Sequence, residues 1–561
     1  MPIRVLSSTV VARIAAGEVV ERPASVVKEL IENALDAGAA RIAIEVRGGG
    51  LDLVRVSDDG CGIPPDELDL AFARHATSKL WEPDDLHRID TLGFRGEALP
   101  SIAAVAEVEM ASRPHGQEAG HWLRLDGGRV VARGQRGMAP GTVVTVTRLF
   151  ARHPARRKFL RSPGSEGGLI AQVATHYALA YPEVRFHLVM DGRTALSTPG
   201  SGELRDAVAA VYGAQVASAM LALEWKQEGL RVAGLVGPPQ LARASRAYQS
   251  FFVNRRWVQN RRLAFALEEA YQGLLQSGRH PLAVVDIRLP PESVDVNVHP
   301  AKSEVRFQDE NAVLSAVARA ARAALLEGTP VPRAPAASTV APVAPEPVAP
   351  PPPLWVPGES APAGTVAGTP RRTLPLLRVV GQVADLYIVA EGPDGIFLID
   401  QHAAHERVLY EEVLAKRASR QAVSQGLLAP VEVELSPAQE ALLREAWEAL
   451  RANGFDLEPF GERGYLLRAV PALLRADDPA QALLAVLDRM AEDRPREDTD
   501  RVAAAVACHA AVRAGKSLTL DEMRELVRLL EGTEVPHTCP HGRPTMLRLS
   551  ADDLARGFGR R

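Results

Sequence analysis

The chain is poor in cysteine. Only Cys61, Cys508 and Cys539 occur in 561 residues, which excludes a disulfide framework and fits a reducing compartment. Apolar runs of membrane-spanning length are missing, and the start, Met1-Pro2-Ile3-Arg4-Val5-Leu6, has no signal-peptide character. A cytoplasmic protein with no membrane partner is expected. Net charge is also scarce, since 65 Lys and Arg against 69 Asp and Glu leave -4. That excludes a global field for nucleic acid, so any such contact must use local patches. Internal repeats are absent. The length is too great for one core, and the 46% hydrophobic content suits roughly two to four globular domains.

What the sequence does have is a break. Residues 328 to 372 are dominated by Pro, Ala, Val and Thr, with Pro350-Pro351-Pro352-Pro353 in the middle. Such a segment cannot build a core and is expected to be a disordered, partly polyproline linker. As a flexible coil it would span roughly 35–40 Å, and more with this much proline. It joins two bodies. The N-terminal body has a seam near 200 to 205, which gives parts 1–203, 204–327 and, after the linker, 373–561. Each reads as α+β. The first has a helix from Ala24 to Ala37 and strands Ile42 to Val46, Leu53 to Ser57 and Thr142 to Thr147. The second has strands around Phe251 and Leu282 to Ile287, with helices around 261–275 and 310–326. The third opens on a hairpin, Leu386 to Ala390 and Gly395 to Asp400. Helices follow over 403–417, 436–453 and 478–491.

Six potential metal ligands lie in the third part. Asp400, His402 and Glu406 fall in Asp400-Gln401-His402-Ala403-Ala404-His405-Glu406, and Cys508, Cys539 and His541 follow. One helix would present His402 and Glu406 on the same face. Carboxylate, imidazole and thiolate together suit zinc or manganese better than magnesium or calcium. A closed structural zinc is one reading. Two carboxylates and an excess of ligands favour an open or two-metal site.

The N-terminal part carries a second constellation. Glu29, Glu32, Asn33 and Asp36 share one helical stripe by i, i+3, i+4, i+7 spacing. Taken alone, a solvated charged face is the commoner origin of such a stripe. Ser57-Asp58-Asp59-Gly60-Cys61-Gly62-Ile63 sets a carboxylate beside glycines that let a flat base approach the backbone. In Thr91-Leu92-Gly93-Phe94-Arg95-Gly96-Glu97-Ala98-Leu99, glycines open a helix whose free N–H groups could cradle phosphate. It is not a Walker A loop, because no Gly-Lys-Thr/Ser follows. Arg74-His75-Ala76-Thr77-Ser78-Lys79 adds hydroxyls and a cation.

In this order, and with a late Gly141-Thr142, the motifs resemble the GHKL ATPases, the superfamily of gyrase, Hsp90 and MutL. The strings Ile14-Ala15-Ala16-Gly17-Glu18-Val19-Val20, Arg74 to Lys79, and Val296-Asn297-Val298-His299-Pro300-Ala301-Lys302 resemble those of the MutL mismatch repair family. The resemblance implies a Bergerat α/β sandwich, a ribosomal-S5-like α+β domain and a C-terminal dimerisation domain. It implies ATP and Mg²⁺ as cofactors. Glu29 would be the general base and Asn33 the Mg²⁺ ligand. Asp58, with Gly60 and Gly62, would recognise adenine. Gly93, Phe94, Arg95, Gly96, Glu97, Ala98 and Leu99, with Thr77, Ser78, Lys79 and Thr142, would enclose the phosphates. Lys302 would reach the γ-phosphate from the second part. Asp59 departs from the family's usual Asn and should leave the site intact.

The run from Asp400, continued as Arg407-Val408-Leu409-Tyr410-Glu411, resembles the Asp-Gln-His-Ala-x-x-Glu-x-x-x-x-Glu motif of nicking MutL proteins. Ala507-Cys508-His509 and Cys539-Pro540-His541-Gly542-Arg543-Pro544 resemble its companions, with His509 where Arg or Lys is usual. The resemblance implies a Zn²⁺ or Mn²⁺ endonuclease site in which Asp400 and Glu406 carry metals or position water. Gln425, Leu428 and Pro430 in Gln425-Gly426-Leu427-Leu428-Ala429-Pro430 resemble a sliding-clamp-binding string, or are a plain strand edge ending in Pro. Two basic clusters, Arg152 to Arg161 and Arg255 to Arg262, are candidate DNA contacts, with Arg157, Lys158, Arg261 and Arg262 foremost. Implied partners are a second copy, double-stranded and nicked DNA without sequence preference, a MutS-type mismatch recognition protein, the clamp and a helicase. The location would be nucleoid-associated. The competing readings are a non-cutting ATP-switched scaffold that recruits other repair nucleases, and a chaperone or topoisomerase of the same superfamily.

Overall fold

The structure is a computed structural model that describes residues 20–79, 91–93, 96–227, 229–275, 278–295, 305–328, 374–375, 377–418, 424–461, 463–474, 478–492, 498–511 and 517–557. The expected linker lies outside these residues apart from Gly328.

The first helix, α1 (Pro23–Asp36), starts with proline at a position that needs no N–H. Its Val26, Val27, Leu30 and Ile31 are buried, as is Glu32 of the polar stripe, while Glu29, Asn33 and Asp36 are partly exposed. Strands β1 (Arg41–Arg47) and β2 (Leu53–Asp58) alternate buried and exposed positions, as a sheet covered on one face should. Helix α2 (Ala98–Val105) precedes β3 (Glu107–Arg113), β4 (Gly120–Asp126), β5 (Arg129–Arg136) and β6 (Gly141–Thr147). Helices α3 (Pro154–Lys158) and α4 (Pro163–Ala180) then lead to β7 (Arg185–Met190) and β8 (Arg193–Ser197). The eight strands form one sheet in the order β5-β4-β3-β6-β2-β1-β7-β8. Only β1 and β7 pair in parallel. The expected strands and α1 all fall in this layer, with α1 and α4 packed in its core.

Helices α5 (Leu204–Tyr212) and α6 (Ala214–Ala219) open the next part. Strands β9 (Leu221–Gln227), β10 (Leu230–Val236), β11 (Gln249–Val253), β12 (Arg256–Val258) and β13 (Ala283–Arg288) form a second sheet, ordered β12-β11-β13-β10-β9. Helix α7 (Arg261–Ala270) and a later helix, α8 (Glu310–Gly328), share its core. Helix α7 is shorter than expected. Tyr271 leaves the helix, is buried, and donates its hydroxyl to Gly237 O at 2.6 Å, while Gly273 turns the chain at φ 80.

Between β13 and α8, β14 (Val294–Asp295) and β15 (Arg306–Phe307) make a small antiparallel pair. The C-terminal body holds two sheets. Strands β16 (Arg378–Val383), β17 (Tyr387–Gly392), β18 (Gly395–Asp400) and, from the far end of the chain, β22 (Met546–Ser550) form one. Strands β19 (Ser424–Glu434), β20 (Asp456–Phe460) and β21 (Gly464–Pro471) form the other, with β21 central. The helices are α9 (Gln401–Ala418), α10 (Pro437–Glu445), α11 (Trp447–Ala452), α12 (Pro479–Glu492), α13 (Asp498–Ala510), α14 (Leu520–Glu531) and α15 (Ala551–Gly557). The expected hairpin is β17–β18. The expected helix over 436–453 is interrupted at Ala446, whose ψ of 13 leaves the helical range.

The two bodies touch. Tyr248 donates its hydroxyl to Asp488 Oδ1 at 2.5 Å, and Arg463 donates to Ala210 O at 2.5 Å. Among the described residues no helix is long and apolar enough to cross a membrane.

Candidate nucleotide and metal sites

The stripe of α1 faces the segment that opens α2. Lys79 Nζ lies 2.5 Å from Asp36 Oδ2 and 3.1 Å from Asn33 Oδ1. Asp36 also accepts the backbone N–H groups of Leu92 at 2.9 Å and Gly93 at 3.1 Å. The Asn33 amide oxygen is thus already directed at a cation. Glu29 lies on the same face, partly exposed. Glu32 differs from the sequence reading. It is buried and takes the Tyr177 hydroxyl at 2.5 Å, with Lys28 Nζ at 3.7 Å, so it braces α1 on α4.

Asp58 ends β2 behind this face. Its Oδ1 accepts the N–H groups of Gly60 at 2.9 Å and Thr142 at 3.3 Å. Burial pushes its pKa up to about 6; those two hydrogen bonds oppose the shift and the neighbouring Asp59 adds to it. Gly62 has φ +75, and a Cβ there would fall 2.5 Å from Arg113 O. The glycine is required by both conformation and space. Ser112, which no motif flagged, ties this floor together. Its hydroxyl accepts Ile63 N–H at 2.8 Å and donates to Gly141 O at 3.1 Å.

The cradle is built on close backbone contact. A Cβ on Gly96 would fall 2.5 Å from Ala76 O. Thr77 accepts Lys79 N–H at 3.1 Å, and Thr77 and Ser78 are exposed. Glu97 stands 3.5 Å from His75, and Ala98 and Leu99 begin α2. Phe94, Arg95 and Lys302 lie outside the described residues, as do 14–19 and 296–301 of the family strings.

In the C-terminal body, α9 brings His402 and Glu406 together, with Nε2 and Oε1 3.2 Å apart. Cys508 arrives from α13. His402, Glu406 and Cys508 form one convergent group, and Glu406, Cys539 and His541 a second; within each the ligand atoms lie within 4.8 Å of one another. Glu406 belongs to both, and His541 Nδ1 lies 3.3 Å from its other oxygen. Burial raises the Glu406 pKa, but hydrogen bonds from His402, His541 and Cys508 outweigh it and hold the carboxyl well below the usual range. Burial lowers the neighbouring His405 to about 4, so it is neutral.

Asp400 ends β18 just before α9. Its Oδ1 accepts the N–H groups of His402 and Ala403, both at 2.9 Å, which makes it the N-cap of α9. It is not in either convergent group. Two residues were missed as supports. Arg407 Nε donates to Thr538 O at 2.6 Å, and Glu411 accepts Glu534 N–H at 2.7 Å and Val535 N–H at 3.2 Å. Their spacing behind Glu406 was the available signal. The turn they steady is closed by Gly542 N–H to Cys539 O at 2.9 Å.

The candidate DNA residues divide. Arg157 and Lys158 are exposed on α3, and Arg261 and Arg262 are exposed at the start of α7, with Arg262 paired to Glu310. Arg256, inside the second cluster, is buried and belongs elsewhere. Gln425, Leu428 and Pro430 are exposed on β19, where the pairing register breaks between Gly426 and Val431.

Residues 18–147 match the family described as "Histidine kinase-, DNA gyrase B-, and HSP90-like ATPase". Residues 208–326 match "DNA mismatch repair protein, C-terminal domain", and 380–518 match "MutL C terminal dimerisation domain". A DNA mismatch repair protein MutL from Desulforudis audaxviator is 45% identical over 572 residues, covering 100% of this chain and 99% of the relative. The chain belongs to the MutL family of DNA mismatch repair proteins. MutL of Symbiobacterium thermophilum is 42% identical over 634 residues, with 100% of both chains covered. A crystal structure described as the N-terminal domain of a DNA repair protein shares the fold at TM-score 0.50 and 26% identity, over 56% of this chain and 98% of that one. As expected, this MutL-family chain is a multidomain α+β protein with a GHKL ATPase domain and a C-terminal dimerisation domain.

Proposed function

We propose that the chain is an ATP-switched homodimer that nicks DNA during mismatch repair with a metal-dependent site in its C-terminal body. The observation that carries this reading is the convergence of His402, Glu406, Cys508, Cys539 and His541 from α9, α13 and the 539–542 turn. An ion bound by all of them would add its binding free energy to the fold that brings these segments together. The residues fit the group: thiolate, imidazole and a carboxylate kept ionised suit Zn²⁺ or Mn²⁺. When bound, such an ion supplies an activated water and positive charge for a phosphodiester under attack. Glu406 is shared between the two groups and fixes their separation. Asp400, capping α9 through one oxygen, has a second oxygen with which to position water. The division 1–203, 204–327 and 373–561 assigns ATP hydrolysis, DNA contact and dimerisation with nicking to successive parts.

In the ATPase domain Asn33 would hold Mg²⁺ and Asp58 would read the adenine amino group when MgATP is bound, leaving Glu29 to take the proton of the attacking water. The cation already seated on Asn33 Oδ1 supports this arrangement. The Thr77 to Lys79 and Gly93 to Leu99 segments would hold the phosphates, and Lys302, outside the described residues, would be the γ-phosphate contact. Arg157, Lys158, Arg261 and Arg262 contact the DNA backbone without reading sequence.

The second copy sits on the open face of the β16–β18, β22 sheet. Pairing puts Val383 opposite Tyr387, Val389 opposite Leu398, Leu398 opposite Leu547, and Ile396 opposite Leu549. Val383, Tyr387, Leu547 and Leu549 are exposed, while the other face forms a core with Ile388, Phe397 and Ile399. An apolar face of this kind marks an interface. The exposed Leu428 beside Gln425 and Pro430 supports docking of a sliding clamp on the edge strand β19. A MutS-type protein licenses the weak intrinsic nicking, and a helicase follows it. Nicking of supercoiled plasmid in Mn²⁺ or Zn²⁺ tests the reading, and an inert parent would return the chain to a non-cutting scaffold.

A further inference from the structure

We propose that Arg256 is a positioning residue through which the second folded part sets the geometry of the nucleotide site. The inference rests on the nucleotide reading of the α1 stripe. Arg256 begins β12 and is only 6% exposed. Its guanidinium crosses to the first part and grips two successive carbonyls, Nη2 to Thr91 O at 2.9 Å and Nη1 to Leu92 O at 3.1 Å. The amides bonded to those carbonyls point the opposite way. Leu92 N–H reaches Asp36 Oδ1 and Gly93 N–H reaches Asp36 Oδ2. Two consecutive peptide units are therefore held at both ends, by a guanidinium fork on one side and a carboxylate fork on the other. Arg256 and Asp36 form an ion pair relayed through backbone.

The relay ends in the site. Asp36 holds Lys79 Nζ, and the same ammonium sits on Asn33 Oδ1. Its other end is rigid. The β11–β12 hairpin turns through Asn254 and Arg255 at φ 49 and 65, and Asn254 exchanges two 3.0 Å bonds with the Leu289 backbone next to β13. Trp257 stacks on His176 of α4 with centroids 4.2 Å apart. Arg256 therefore cannot shift without the second sheet, and the second sheet cannot shift without pulling on Thr91–Gly93. The fork suits this place because two separate nitrogens each reach one carbonyl, whereas an ammonium must serve both from a single nitrogen. Arg255 next to it points away, to Glu183 at 2.7 Å and over Tyr181. Arg256 is thereby separated in role from the basic cluster in which it lies.

The test is steady-state ATP hydrolysis by the full-length chain, its Glu29→Ala variant, and Arg256→Gln, Arg256→Lys, Asp36→Asn and the Arg256→Gln/Asp36→Asn double variant. Melting temperatures are taken alongside. Arg256→Gln should lose about tenfold or more in kcat and raise KM for MgATP, because a small misplacement of the phosphate-binding backbone is costly. Arg256→Lys should recover part of that loss. The double variant should be little worse than Asp36→Asn alone, since both changes cut the same relay. Arg256→Gln within about twofold of the parent, or losses that multiply in the double variant, would overturn the proposal. If Arg256→Gln does not fold, Arg256→Lys decides: an intermediate rate supports the relay, and a parental rate removes it. A parent no faster than Glu29→Ala would remove the nucleotide reading and this inference with it, whereas an active parent with unaffected Arg256 variants removes only the inference.

Discussion

Glu411 accepts the backbone N–H of Glu534 at 2.7 Å and so fixes the segment that delivers Cys539 to the candidate metal site. The bond makes Glu411 a support for the ligands, outside both convergent groups. Outer supports of this kind are commonly worth about 10–100-fold in metal affinity. Glu411→Ala should therefore bind Zn²⁺ that much more weakly, measured by competition with a chromophoric chelator, with its helix content unchanged. Parental zinc affinity in that variant would reduce the bond to loop decoration.

The proposed ATPase mechanism makes Glu29 the base and gives Asn33 and Asp58 the nucleotide. Glu29→Ala should bind ATP with near-parental affinity and lose about 10²–10⁴-fold in turnover. Equilibrium binding of a fluorescent ATP analogue beside phosphate release separates the two effects. A variant that turns over normally has its base elsewhere.

With Asp58 as the proposed adenine acceptor, the ATP site gains a pH edge. In the folded chain its proton leaves near 6, against the model-compound value of 3.8. The folded state thus binds more protons between these values, and stability declines as pH rises from about 4 to about 6, with a cost of roughly 3 kcal/mol persisting at neutral pH. ATP binding should run the other way and weaken as pH falls through about 6, because a protonated Asp58 is a poorer acceptor for the adenine amine. Asp58→Asn, which can still accept from Gly60 and Thr142, should melt higher than the parent at neutral pH and bind ATP poorly without the pH step. Melting curves and ATP titrations across pH 5 to 8 check both signs.

Leu547 and Leu549 stand on the uncovered face of β22. Leu547→Glu with Leu549→Glu should yield monomers at micromolar concentration, since two charges would have to be desolvated at the interface. Light scattering reports the outcome. A persistent dimer would move the interface to another surface.

Much of this molecule was legible from pattern. The α1 stripe, the β17–β18 hairpin and α9 follow from periods of 3.6 and 2 that local burial enforces. The convergent metal donors followed from residue chemistry, though their meeting is a tertiary event. What pattern could not give was set by packing between parts. Arg256 looks like its exposed neighbours Arg261 and Arg262 until the first part packs on the second sheet and buries it against Thr91 and Leu92. Glu32 shares the spacing of Glu29 and Asn33, and only the approach of Tyr177 from α4 turns it inward. Asp400 reads as a ligand, and its capping of α9 appears only once the helix start is placed. The apolar face of the first C-terminal sheet needs β22, which joins from the end of the chain.

Nicking of supercoiled plasmid by the full-length chain in Mn²⁺ or Zn²⁺, with Asp400→Asn and the parent side by side, tests the central claim most directly. Asparagine keeps the α9 cap, so the fold should stand and ATP hydrolysis should be unchanged. The account predicts metal-dependent nicked circles from the parent and none above background from Asp400→Asn. Equal nicking by both proteins would contradict it, because cutting would then need no carboxylate at position 400 to position water.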